Sequence, residues 1–103
     1  MTADAFRKLA LAQPGAVESS HQGHADFRVR NKIFATLPND RQAVVKLTPE
    51  QQLKHVAVEP VVFSPCPGAW GQGGWTFIDL KKAKPASTKE AVRTSFANLT
   101  KGK

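Results

Sequence analysis

The chain has 103 residues, 41% of them hydrophobic and 22% charged, and a net charge of 15 − 8 = +7. This composition suits one folded domain over residues 1–103 and excludes extended disorder. Its single cysteine, Cys66, excludes an internal disulfide and a thiolate zinc centre.

Residues 2–12 have the spacing of a helix, with Phe6, Leu9 and Ala10 on one face and Ala3 a turn earlier. Thr2 or Asp4 is placed to cap it, and Pro14-Gly15 stops it. Residues 17–22 form a polar first strand. Residues 26–30 and 32–37 are two strands meeting in a tight turn at Arg30-Asn31. After the turn Pro38-Asn39-Asp40, the valine-rich segment 42–47 is a fourth strand. Thr48-Pro49-Glu50-Gln51 is a helix start with a threonine cap, a proline in the first helical position and a glutamine to close the capping box. That helix runs through Leu53, Val56 and Ala57 and ends before Pro60. Residues 61–64 form a short strand and 65–74 a turn-rich loop. In the next strand, 75–80, Trp75, Phe77 and Asp79 alternate with Thr76, Ile78 and Leu80. Ser87, with Glu90 three residues on, caps a last helix whose stripe is Val92, Phe96 and Leu99, and 101–103 form a frayed end. The order helix, four strands, helix, two strands, helix predicts an α+β domain with an antiparallel sheet.

The central hairpin admits two registers. A two-residue turn pairs Val29 with Lys32 and Phe27 with Phe34, and sets Arg28 beside Ile33. A three-residue loop pairs Val29 with Ile33 and gathers Phe27, Val29, Ile33, Ala35 and Leu37 on one face. A slip of one residue exchanges the faces.

The ordered set Phe6-Arg7, Leu9, LAQPGA at 11–16, Gly23-His24, DFRV at 26–29, KIFA at 32–35, KLTPE at 46–50 and Gly74-Trp75 resembles the MmcQ/YjbR family. The resemblance implies a compact α+β fold similar to secretion-chaperone and CyaY-like folds. It implies no established activity; a DNA-binding role through a double-winged arrangement rests on analogy of fold. It also favours the two-residue turn. Asn31 stands where the family often has glycine, and asparagine is the next best residue for a positive φ.

Basic character attracts phosphate backbones and anionic surfaces. Residues 81–103 hold seven basic residues and one acid, Glu90. Arg28, Arg30, Lys32 and Lys46 on neighbouring strands, with Lys89 and Arg93 on the last helix, are the candidate nucleic-acid contacts. The competing role of such residues is solubility, with long basic side chains lying over apolar neighbours. His24, Phe34, Trp70 and Trp75 are the candidates for a ligand groove, one tryptophan anchoring the core and the other lining the groove.

His21-x-x-His24-x-Asp26 holds ligand types, but an extended segment sends residues three apart to opposite faces, so no metal is expected. His55 is expected to face solvent. The glycines at 71, 73 and 74 lead into a strand, unlike a phosphate cradle, which opens onto a helix. Cys66 has no base at a recognisable spacing. The expectation is a small cytosolic binding module without cofactor or catalysis. It binds nucleic acid weakly or, alternatively, a small anionic ligand or protein partner near Trp70 and Trp75. No apolar run is long enough to span a membrane.

Overall fold

The first helix starts where its cap requires: Thr2 Oγ1 accepts a hydrogen bond from the Ala5 N–H at 3.0 Å. In the computed structural model, which describes residues 1–100, the expected frayed end at 101–103 lies outside the described residues. Helix α1 (Ala3–Leu11) is followed by β1 (Val17–His21), β2 (His24–Val29), β3 (Lys32–Leu37) and β4 (Gln42–Lys46). Then come α2 (Pro49–Val58), β5 (Phe63–Pro65), α3 (Gly68–Gln72), β6 (Trp75–Asp79) and α4 (Pro85–Thr100). The strands form one antiparallel sheet in the order β1-β2-β3-β4-β6-β5. The expected class and order hold, and α3 is added inside the segment expected to be a loop.

Two tight turns build the first three strands. Gln22 and Gly23 have φ of 51° and 83°, and Arg30 and Asn31 have φ of 54° and 65°. Two left-handed residues in succession match the twist of a hairpin. Both expected registers occur in the central hairpin. Next to the turn, Val29 faces Lys32 and Arg28 faces Ile33; beyond a bulge, Phe27 faces Ala35 and Asp26 faces Thr36. Phe34 is the extra residue, so the expected Phe27–Phe34 pair is not made.

The bulge lets Phe34 and Ala35, though adjacent, both be buried. They join Phe27, Val29, Leu37, Ala43, Val45 and Ile78 in a core closed by Phe6 and Ala10 of α1 and Ala91 and Val92 of α4. Phe34 stacks edge-on against Phe96 at 5.6 Å. Phe96 and Leu99 pack at the margin of this core.

Local details change in α2, β5 and α4. The capping box on α2 forms, with Gln51 N–H to Thr48 Oγ1 at 3.2 Å and Thr48 N–H to Gln51 Oε1 at 2.9 Å. Yet that helix buries Gln52 and leaves Leu53 71% exposed. His55, expected to face solvent, is half-buried against Phe63 at 4.7 Å. The fifth strand starts two residues late, because the N–H groups of Val62 and Phe63 both donate to Glu59 O in a turn after α2. The last helix starts at Pro85, ahead of Ser87, whose hydroxyl donates to Lys84 O instead of capping. Proline at the first helical position needs no N–H partner.

Candidate functional site

Side chains alternate across the sheet, so the face opposite α1 and α4 follows from the register. It carries His21 on β1, Asp26 and Arg28 on β2, Ile33 and Thr36 on β3, Val44 and Lys46 on β4, and Trp75 and Phe77 on β6. A groove of about 450 Å³ crosses this face. Ile33, Thr36, Val44 and Phe77 form its floor. Cys66, Pro67, Trp70 and Trp75 form one wall, and the β1–β2 hairpin with His21, Gln22 and His24 forms the other. The lining contains no Asp, Glu, Lys or Arg. Its size and apolar character are those of a small-molecule site.

The tryptophan wall is held by backbone approaches that only glycine permits. A Cβ on Gly71 would lie 1.8 Å from Cys66 O, and one on Gly74, whose φ is +108°, would lie 1.8 Å from Leu47 O. Gln52 reaches in from α2, its Nε2 donating to Gly71 O, Trp75 O and Thr76 Oγ1 at 3.0, 3.0 and 3.1 Å. Lys46 Nζ donates to Gly73 O at 2.9 Å and lies 5.4 Å from the Trp75 ring centre. The two indoles are 6.1 Å apart and tilted by 38°. Trp75 is half-buried and Trp70 is 66% exposed. Neither anchors the core, contrary to expectation, because β6 directs Trp75 to the open face and α3 displays Trp70 beside it.

The opposite wall rests on a buried charge. Asp26 is fully buried, and Arg28 grips it with Nε at 2.7 Å and Nη2 at 3.0 Å. His21 Nδ1 lies 2.6 Å from the same carboxylate. The Arg28 guanidinium, helped by His21 and opposed by burial, holds the Asp26 carboxyl below the usual range and so keeps it ionised. Asp26 in turn pushes Arg28 up. The His24 ring meets that of His21 edge-on at 4.6 Å, and its Nδ1 is buried without a partner among the described residues. Burial pushes the Cys66 thiol up to about 11, which suits a packed wall residue and not a nucleophile. No group of three or more metal-ligating residues occurs among the described residues.

The expected groove residues His24, Trp70 and Trp75 come together here, whereas Phe34 is buried in the core. The expected basic residues divide. Arg28 and Lys46 are on the groove face, Arg28 paired with Asp26. Arg30 is exposed in the hairpin turn, and Lys32 sits opposite Val29 at the hairpin's end. Lys89 and Arg93 are on the exposed side of α4, in the helical layer behind the sheet. His21, Ile33, Thr36, Val44 and Phe77 were not expected in a site. Ile33 followed from the turn-side register, but the others depend on which strands become neighbours.

A model of the family described as YjbR matches residues 11–98. No curated protein matches the chain. Among solved structures, the crystal structure of Deinococcus radiodurans protein DR2400, described with a DUF419 domain, is similar with a TM-score of 0.80 and 20% identity. The match covers 97% of this chain and 79% of that one, a likeness of fold.

Proposed function

The chain belongs to the YjbR family, and we propose that it is a binding module whose ligand is a small, planar, largely apolar molecule seated between the tryptophans and the His21–His24 wall. The exposure of Trp70 beside Trp75, on the lip of a groove of about 450 Å³, carries this reading. An indole left two-thirds in water gives up hydrophobic stabilisation that a ligand would recover. The wall is preorganised by Gln52, Gly71 and Gly74, so binding orders little. A cytosolic place of action is part of the reading, in keeping with a single, buried, protonated thiol. No helix among the described residues is long and apolar enough to cross a membrane.

Titration with 1-naphthalenemethanol, followed by tryptophan fluorescence and by amide shifts, tests the site. Shifts clustered on β3, β4 and β6 are expected, and Trp70→Ala is expected to weaken binding about tenfold, as loss of one aromatic contact does. Shifts scattered over the surface, or an unchanged affinity in Trp70→Ala, would overturn it.

A second reading rests on charge. The net charge of +7 and the exposed Arg30 and Lys32 at the hairpin end support weak, sequence-independent binding of nucleic acid. The lysine and tryptophan pair on the groove face offers a base a stacking surface.

A further inference from the structure

The lining of the groove has one accessible polar ring held in a set orientation, that of His21. Its Nδ1 faces the Asp26 carboxylate at 2.6 Å. That carboxylate is fully buried and ionised, since Arg28 donates two hydrogen bonds to it. An ionised carboxylate only accepts, so Nδ1 must carry a proton. The neutral ring is therefore fixed as the tautomer with its lone pair on Nε2. No hydrogen bond to Nε2 occurs among the described residues, and the ring is 31% exposed at the groove.

An imidazole backed by a carboxylate presents its second nitrogen in a fixed direction, because the carboxylate holds the tautomer and orientation of the ring. We infer that His21, oriented by Asp26, is the specificity-determining group of the groove, and that its ligand is a planar aromatic carboxylic acid whose oxygen meets Nε2. The inference rests on the groove being the binding site and adds the ligand's chemistry.

The proton balance is simple. The ligand's O–H bond breaks, its electron pair stays on oxygen, and the proton forms the N–H bond at Nε2. A ligand already ionised in solution reaches the same bound state with net uptake of one proton at Nε2 from the buffer acid, whose conjugate base is left in solution. In that state the ligand anion faces an imidazolium whose other N–H is on Asp26, and Arg28 keeps Asp26 ionised. The lining has no fixed positive charge to hold an anion without His21, and no carboxylate to hold a cation. The aromatic body lies against Trp70, Trp75 and Phe77, where the floor is apolar.

The experiment compares 1-naphthoate with 1-naphthalenemethanol, matched in ring and differing in charge, on the wild type and on His21→Gln. The wild type is expected to bind the carboxylate about tenfold more tightly than the alcohol, the usual advantage of a charge-assisted hydrogen bond. In His21→Gln the carboxylate's advantage is expected to vanish, the two probes binding about equally whatever affinity both lose in common. On wild-type protein alone, the His21 Nε2 nitrogen resonance is expected to move from its lone-pair position to its protonated position when naphthoate is added. A merely structural histidine does not do this. Equal binding of the two probes by the wild type, with shifts at the groove, overturns the role of His21 and leaves the groove reading standing. An unmoved Nε2 resonance at saturation with naphthoate does the same. Failure of both probes to shift groove residues overturns both readings.

Discussion

Phe34 and Asp26 reverse the roles that residue type alone suggests. An aromatic between basic residues reads as a stacking surface, yet Phe34 is fully buried against Phe96. An aspartate reads as surface, yet Asp26 is fully buried and holds the wall of the groove through Arg28 and His21. Its folded pKa lies below its unfolded one, so it stabilises the fold at pH values above the unfolded pKa, near 3.9. That contribution is lost as pH falls through the folded pKa. Urea midpoints measured between neutral pH and pH 3 are expected to drop more steeply below about pH 4 in the wild type than in Asp26→Asn. The variant should be less stable at pH 7, where Arg28 loses its charged partner. Parallel pH profiles would show that the carboxylate's charge plays no part.

The hairpin of β2 and β3 and the helix α2 each solve a packing problem that pattern alone left open. The two-residue turn sets one pairing, and the alternation of Phe27, Ala35 and Leu37 demands the other. A single bulge at Phe34 satisfies both, leaving Arg28 and Ile33 on the groove face and Phe27 in the core. On α2, the buried residue is Gln52 and not Leu53, because the Gln52 amide adds hydrogen bonds to Gly71 O and Trp75 O, which also accept from the Gly74 and Cys66 N–H groups. Gln52→Leu keeps the bulk and removes the amide's hydrogen bonds, so a cost of about 0.5–1.5 kcal/mol in chemical denaturation is expected. The same variant should shift the tryptophan emission of the folded state, since Trp70 and Trp75 ride on the segment that Gln52 holds. A neutral substitution with unchanged emission would show that water replaces the amide.

At the scale of the molecule, the candidate basic residues are spread over two layers. Arg28 and Lys46 share the groove face with the tryptophans, while Lys89 and Arg93 ride on the helix behind the sheet. A duplex lying on one face therefore meets only part of the charge. Four neutralised phosphates would weaken binding about a hundredfold between roughly 50 and 200 mM salt. Labelled single- and double-stranded DNA titrated at both salt levels should show that slope, with Arg30→Ala and Lys32→Ala each making it shallower. No binding at the lower salt would remove the nucleic-acid reading and leave the groove untouched.

The sequence by itself determined the kinds and order of the elements other than α3, the α2 capping box, the turn at Arg30-Asn31 and the alternation of β6. These depend on contacts between residues a few positions apart, where backbone geometry and periodicity act directly. It also brought His24, Trp70 and Trp75 into one candidate site. Only the tertiary structure decided that β6 lies between β4 and β5, which sets Phe77 beside Val44 and makes one groove floor from distant segments. It alone put Phe34 in the core, Gln52 under the tryptophan turn and His21 on a buried Asp26. Strand order and burial are set by how the whole chain shares a single apolar interior, which no local pattern records.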